Sequence, residues 1–145
     1  TGTTGNDTIE GGDSADSVAG GDGDDVLIGN WNADTLAGGN GADQFQYTST
    51  DDSRWDGYDL ITDFASGTDL IDLSRIDANT GASGQQAFSW IGTSAFSNVA
   101  GQLRYEITSA GTRLVSGDTD GDGQPDLQIE VQTSSSLAAA DFVLS

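Results

Sequence analysis

The stretch that decides the fold runs from Gly2 to Gln46: GTTGNDTIE, GGDSADSVA, GGDGDDVLI, GNWNADTLA and GGNGADQFQ, five nonapeptides without an insertion. Gly opens every unit, at Gly2, Gly11, Gly20, Gly29 and Gly38. Asp stands sixth in each, at Asp7, Asp16, Asp25, Asp34 and Asp43. The eighth residue is always apolar: Ile9, Val18, Leu27, Leu36 and Phe45. The fourth is Gly5, Ser14, Gly23, Asn32 or Gly41, each small or tolerant of positive φ. A fixed short period of this kind means stacked supersecondary units.

Each unit divides into six residues of turn and three of strand. By the two-residue period of a strand, only the eighth side chain points inward. One apolar residue in nine cannot close a core alone, so the units must stack. If two nonapeptides make one coil, turns on the same edge are 18 residues apart in sequence. They then lie roughly 4.8 Å apart in space. Asp7 stacks over Asp25, Asp16 over Asp34, and Asp25 over Asp43. Carboxylates that close in a partly dry turn repel each other, and a divalent cation reverses the sign. Calcium wants closely spaced carboxylate and carbonyl oxygens. The expected ligands are the five sixth-position carboxylates, the backbone of Gly2, Gly5, Gly11, Gly20, Gly23, Gly29, Gly38 and Gly41, and the turn residues Asp22 and Asp24. The segment is therefore expected to be unfolded without calcium and folded with it. Ser14, Asn30 and Asn32 replace Gly in the second and fourth turns, so those turns are expected to bind calcium more weakly, since Ser costs more than Gly where φ is positive.

Composition agrees with this reading. The 145 residues suit one domain with a modest core, and 24 acids face 4 bases for a net charge of −20. Counting along the chain gives 21 Asp against 3 Glu (Glu10, Glu106 and Glu130). A disordered acidic tail has no reason to prefer Asp; a turn does, because its short side chain reaches nearby backbone. Cys, His and Met are absent. That excludes disulfides, thiolate or imidazole metal sites, and Ser-His or Cys-His nucleophile pairs. A polyanion such as DNA would be repelled, and no apolar run approaches a membrane span. Lacking an initiator Met, the sequence is expected to be a piece of a longer protein.

Beyond Gln46 the period disappears. Residues 51–79 hold two apolar strands, Leu60–Phe64 and Leu70–Leu73, joined by a Ser-Gly turn. Around them lie Asp51, Asp52, Asp56, Asp59 and Asp63. Some of these are expected to cap the roll and complete its last calcium sites, Asp52 and Asp59 foremost, with a solvated acidic face as the alternative for each. Further strands are expected at Ala87–Ile91, at Leu103–Ile107 and, after a turn at 109–111, at Thr112–Ser116. Asp118, Asp120, Asp122, Gly123 and Asp126 fit the front of an EF-hand-type loop. Ile129 stands where the bidentate Glu belongs, so a calcium-competent hairpin loop and a plain acidic hairpin are both open. Leu127, Ile129 and Val131 alternate with polar residues as a half-buried strand. Phe142, Val143 and Leu144 form a last strand. Trp31, Trp55, Tyr58 and Trp90 are candidates for sugar stacking, with packing against neighbouring loops the competing role for Trp31.

The nonapeptides resemble the glycine-rich calcium repeat of the RTX (repeats-in-toxin) proteins. Together with DLITDFASGTDLIDLSRIDAN, FSWIGTSAFSNVAGQLRYE, GDTDGDGQPDLQIEV and the terminal DFVL, the chain is similar to the C-terminal domain of serralysin-type secreted metalloproteases. The resemblance implies an all-β fold, a parallel β-roll over residues 1–46 continuing into a β-sandwich over 47–145, packed as one domain. It implies calcium between successive turns on each edge: three internal sites, half-sites at the ends, and about four to seven ions in all. It further implies a secreted, extracellular, non-catalytic module that folds on calcium after type I secretion. The expected partners are the type I apparatus and an upstream catalytic domain, and the expected state is a monomer. The zinc-binding HExxH is absent, so protease chemistry is not carried over. The parent would be a secreted hydrolase such as a zinc protease or lipase, or a polysaccharide-modifying enzyme. Ser145 follows the apolar end that the family's secretion signal usually finishes on. The alternative is an accessory carbohydrate-binding module of an alginate epimerase or lyase.

Overall fold

The computed structural model describes residues 1–54 and 57–145, and Trp55 and Asp56 lie outside the described residues. Two sheets face each other. The first holds β1 (Thr8–Gly12), β3 (Val26–Asn30), β5 (Gln44–Gln46), β7 (Leu70–Asp72) and β12 (Phe142–Val143), in that order and all parallel. The second begins with β2 (Ser17–Asp22), β4 (Thr35–Asn40), β6 (Asp59–Ile61) and β11 (Leu127–Gln132), again parallel. It continues through β10 (Thr112–Asp118) and β9 (Gln102–Ser109), both antiparallel, and ends on the short β8 (Ser89–Trp90). Among the described residues there are two 3-10 turns and no α-helix.

The strands alternate between the sheets because each nonapeptide turn carries the chain across the core to the opposite face. The register is the expected 18 residues: Ile9 pairs with Leu27, Val18 with Leu36, and Leu27 with Phe45. The stack then continues past the repeats. Phe45 pairs with Ile71 and Ile71 with Phe142, while Leu36 pairs with Ile61 and Ile61 with Val131. The two columns of eighth-position side chains thus run straight into the core of the later strands. Leu27, Phe45, Ile61, Ile71, Ile129 and Val131 are fully buried, and Phe45 meets Phe64 at 6.1 Å between ring centroids.

Two polar clamps close the later part. Asp141, itself buried, accepts from Gly67 N (2.8 Å), Ala138 N (2.7 Å) and Ser66 Oγ (3.1 Å). This fixes the turn before β7 to the chain just before β12. Arg113 is buried and donates to the carbonyls of Ser134 and Ser135, holding the segment that follows β11. Trp90 stacks on Tyr105 at 5.7 Å and leans on Phe142 at 4.8 Å, so it is a packing residue rather than a free sugar platform.

Truncating Phe45, at the middle of a column, is expected to cost about 3–5 kcal/mol. Denaturant unfolding of Phe45→Ala against the parent in saturating calcium checks this, and a loss below about 1 kcal/mol would contradict the central placement.

Candidate calcium sites

Stacking at strand spacing brings sixth-position Asp residues into two ladders, one along each edge of the roll. On the first edge Asp7 N donates to Asp25 Oδ1 (2.8 Å), Asp25 N to Asp43 Oδ1 (3.0 Å) and Asp43 N to Asp69 Oδ1 (3.1 Å). On the second, Asp16 N donates to Asp34 Oδ1 (2.8 Å) and Asp34 N to Asp59 Oδ1 (2.9 Å). Asp59 N donates in turn to Ser53 Oγ (2.8 Å), and Ser53 Oγ donates to the Gln128 carbonyl. The ladder therefore outlasts the nonapeptides and ties into β11.

Asp25, Asp34, Asp43, Asp59 and Asp69 each spend one oxygen on the backbone of the preceding coil. Asp69 gives its other oxygen to Ala65 N (2.8 Å); in the remaining four the other oxygen is the informative one. Oδ2 of Asp25, Asp34, Asp43 and Asp59 is buried outside hydrogen-bond geometry, and the four residues are at most 2% exposed; at Asp59 the equally unpaired hydroxyl of buried Tyr47 is a donor close by. A buried acceptor left unsatisfied costs about 1–3 kcal/mol, and more if charged. Four of them along two edges of one roll call for a missing partner.

The surroundings say what kind of partner fits. A Cβ placed on Gly20 would overlap both Asp25 Oδ2 and the Gly38 carbonyl oxygen. One on Gly29 or Gly38 would overlap Asp34 Oδ2 or Asp43 Oδ2, and one on Gly11 would lie 2.8 Å from the Gly29 carbonyl oxygen. The space beside the first glycine is thus where carboxylate and carbonyl oxygens of two coils meet. Such oxygens cannot bond one another, because all are acceptors. A hard cation that takes several oxygen ligands fits this donor set. Glycine is also needed for the turn itself: Gly23 has φ +129° and its missing Cβ would lie 2.6 Å from the Gly5 carbonyl carbon. Gly41, with φ +136°, meets the Gly23 carbonyl in the same way.

Electrostatics point in the same direction. Burial pushes Asp34, Asp43 and Asp69 above the ordinary carboxylate range, and neighbouring ladder carboxylates add to it. Asp59 is pushed up to about 8, by burial first and by the nearby charges of Asp34 and Asp52 as well. Tyr47 lies fully buried beside Asp59, and burial with that charge lifts its hydroxyl well above the phenol range.

Other expected ligands sit differently. Asp7 Oδ2 is taken by Thr3, through its N–H (2.7 Å) and its hydroxyl (3.0 Å), which holds the Asp7 carboxyl below its usual range. Asp16 is half-buried. Asp22 and Asp24 are exposed and accept from Asn40 Nδ2 (2.8 Å) and Ala42 N (2.9 Å), with no side-chain oxygen shut inside. Asp52 is buried, but its Oδ2 accepts from Thr48 N, Thr48 Oγ1 and Ser49 N. Ser14 does not take positive φ, whereas Asn30 (69°) and Asn32 (78°) do. The second turn thus avoids the left-handed cost expected for it, and Asn32 Nδ2 braces it by donating to the Asp13 carbonyl (2.6 Å).

The loop Asp118–Asp126 is a hairpin between β10 and β11. Asp118, Asp120 and Asp126 bring one carboxylate oxygen each within 4.8 Å of one another, and Asp122 is not among them. These carboxylates have donors already: Asp118 accepts from Gly121 N and Gly123 N, and Asp126 from Thr119 N and Oγ1. Ile129 is a fully buried core residue of β11.

Asp69 was not expected as part of the ladder system, and Asp63 only as one of several acids around the end of the roll. Asp63 accepts from Gly38 N (2.9 Å) and Gly39 N (3.0 Å), and Asp69 is the next rung after Asp43. The signal was present: Gly57-x-Asp59-x-Ile61 and Gly67-x-Asp69-x-Ile71 repeat the second half of the nonapeptide. Insertions before each half-unit hide the period, since the ladder spacing there is 25 and 26 residues rather than 18. Of the aromatic candidates, Trp31 is 57% exposed and Tyr58 half-buried.

Two sheets of parallel strands, alternating across a shared core with carboxylate ladders on both edges, define a parallel β-roll of the RTX class. The protein-family model described as peptidase M10 serralysin C terminal matches residues 1–144, and the chain belongs to that family. A search of curated proteins found no match. Among solved structures, the AlgE6R3 subunit of the Azotobacter vinelandii mannuronan C5-epimerase is similar over 98% of this chain and 75% of that one, at 25% identity and TM-score 0.69. The AlgE6R2 subunit of the same enzyme is more distant, with 20% identity and TM-score 0.45 over 94% of this chain and 91% of that one.

The raised pKa of Asp59 sets a pH dependence for the metal-free protein. Its value in the fold is about 8 against an ordinary 3.8, so between these values the fold binds a proton that the unfolded chain does not. Stability without metal therefore falls as pH rises through that window and levels off above it. Circular dichroism in excess chelator at about pH 5 and about pH 9 tests the sign: more of the β signal should survive chelation at the lower pH. More β signal at about pH 9 than at about pH 5 would contradict it.

Proposed function

We propose that this chain is the calcium-dependent folding module of a bacterial exoprotein, exported by a type I apparatus and stabilising an upstream catalytic domain. The observation that carries the reading is the set of four buried, partnerless Oδ2 atoms on Asp25, Asp34, Asp43 and Asp59. Membership of the serralysin C-terminal family supports it. Asp25, Asp34, Asp43 and Asp59 hold the ions with their second carboxylate oxygen, and the carbonyls of the first-position glycines complete the shell. Asp16 with Gly29 forms a more open position. The hairpin of Asp118, Asp120 and Asp126 is a weaker one, since Ile129 stands where the bidentate Glu of an EF-hand loop belongs and both oxygens of Asp118 already accept from backbone.

The chemistry suits export. Calcium sites of extracellular modules have affinities of roughly 10⁻⁴–10⁻³ M. At cytosolic calcium such sites stay empty, and a chain of net charge −20 repels itself and remains extended. Outside the cell, calcium neutralises the ladders and the roll closes on the columns below it. Roll (1–46) and sandwich (47–145) then fold as one continuous unit, a reading supported by the stacking of β6 and β7 on β4 and β5, and the unit is a monomer. About four to seven bound ions would leave roughly −12 to −6. Circular dichroism with and without chelator is the test. The expected result is a β signal that collapses on chelation and returns with calcium; an unchanged spectrum would sink the reading.

A second reading, an accessory polysaccharide-binding module, is favoured by one feature. Exposed Trp31 borders a cleft of about 580 Å³ with Asn32, Arg54 and Asp51, and Arg54 pairs with Asp51 at 2.8 Å. An aromatic face beside a donor-acceptor pair suits a pyranose ring. The similar structure from a mannuronan epimerase supports this reading too. Calorimetric titration of the calcium-loaded protein with alginate and with neutral glycans decides: heat that disappears in Trp31→Ala supports it, and no heat with any glycan removes it.

A further inference from the structure

The first turn of the roll differs from the third, fourth and fifth at its carboxylate, which is half-buried rather than buried and has donors on Oδ2. At Asp25, Asp34 and Asp43 the carboxylate Oδ2 is buried without a donor. At Asp7 the same atom accepts from Thr3 N at 2.7 Å and from Thr3 Oγ1 at 3.0 Å. The cause lies in the second position of the unit. Units two, three and five have Gly12, Gly21 and Gly39 there, at φ +123°, +120° and +105°. Unit four has Asn30 at φ 69°, and only unit one has a residue outside the left-handed region, Thr3. In the other units no hydrogen bond among the described residues joins the second-position N–H to the unit's own carboxylate, and Gly39 N donates to Asp63 instead. The ordinary conformation of Thr3 lets its N–H and hydroxyl converge on Asp7.

We propose that Thr3 fills, with protein donors, the place a calcium ion takes at the later turns, so that the first inter-turn position, Asp7 with Gly20, binds no ion. The proposal rests on the calcium reading of the partnerless oxygens given above. A hydroxyl can turn a lone pair toward a cation. An amide cannot, and its hydrogen aimed at the carboxylate repels a cation there. Thr3 is thus a cation substitute that ends the ion column on this edge inside the described chain. The Gly20 carbonyl, which a Cβ on Gly2 would overlap, remains at this junction, so only the donor pair separates it from an ion site.

The test counts ions on the whole 145-residue chain by native mass spectrometry at saturating calcium, across the parent, Asp7→Asn, Asp25→Asn and Thr3→Gly. Asp7→Asn is expected to keep the parent's ion count and Asp25→Asn to lose one ion. Thr3→Gly, which restores the glycine of three other units, is expected to gain one. Amide exchange of the calcium-loaded parent gives a readout independent of any variant's folding: Thr3 N–H should be protected. Loss of an ion in Asp7→Asn, no gain in Thr3→Gly, or a rapidly exchanging Thr3 amide each overturns the proposal. A parent that binds no ion at all fails the calcium reading instead, which keeps the two failures apart.

Discussion

An acceptor oxygen shut between two coils, with no donor in reach, is the constraint on which this structure turns. Parallel strands fix neighbouring coils at strand spacing. An Asp at the same point of every coil must then stack on its copies. One oxygen of each stacked carboxylate finds the backbone N–H of the preceding coil; the second faces carbonyls and other carboxylates. The fold is self-consistent in its backbone and in its apolar columns, and incomplete in its charges. That incompleteness is what the proposed calcium ions would fill, which is how folding would come to depend on them.

How the roll ends matters as much as how it repeats. Asp59 and Asp69 continue the two ladders after the nonapeptides stop, and Ser53 passes the second ladder on to Gln128 of β11. The columns of Leu27, Phe45 and Ile71, and of Leu36, Ile61 and Val131, make the same crossing in apolar side chains. Roll and sandwich therefore share both their polar edges and their core. A change in charge at the turns is felt directly by packing in the later strands.

Two acidic regions of similar composition behave in opposite ways. In the hairpin after Asp118, the carboxylates close on nearby glycine and threonine donors and satisfy themselves. In the roll, the matching donors are 18 residues away and reach only one oxygen of each pair. Both regions are dense in Asp; they differ in how many of their carboxylate oxygens find donors. Asp7 shows the boundary case inside the roll, where one threonine changes the supply.

Much of this was legible in the sequence. The unbroken Gly, Asp and apolar positions of five units dictate alternating short strands, an 18-residue register and stacked Asp, because period and strand geometry are local properties. The half-units around Asp59 and Asp69 were harder to read, since insertions erase the period while leaving the spatial stack intact. Sequence alone placed Asp22, Asp24 and Asp52 among the ligands with the ladder residues, because all are turn carboxylates. Only the tertiary structure separated them: it leaves Asp22 and Asp24 in solvent, gives Asp52 local donors, and buries Asp25, Asp34, Asp43 and Asp59 with one oxygen unpaired. The physical reason is that a residue type fixes what an oxygen can accept, while burial and the donors within reach, set by distant parts of the chain, fix what it lacks.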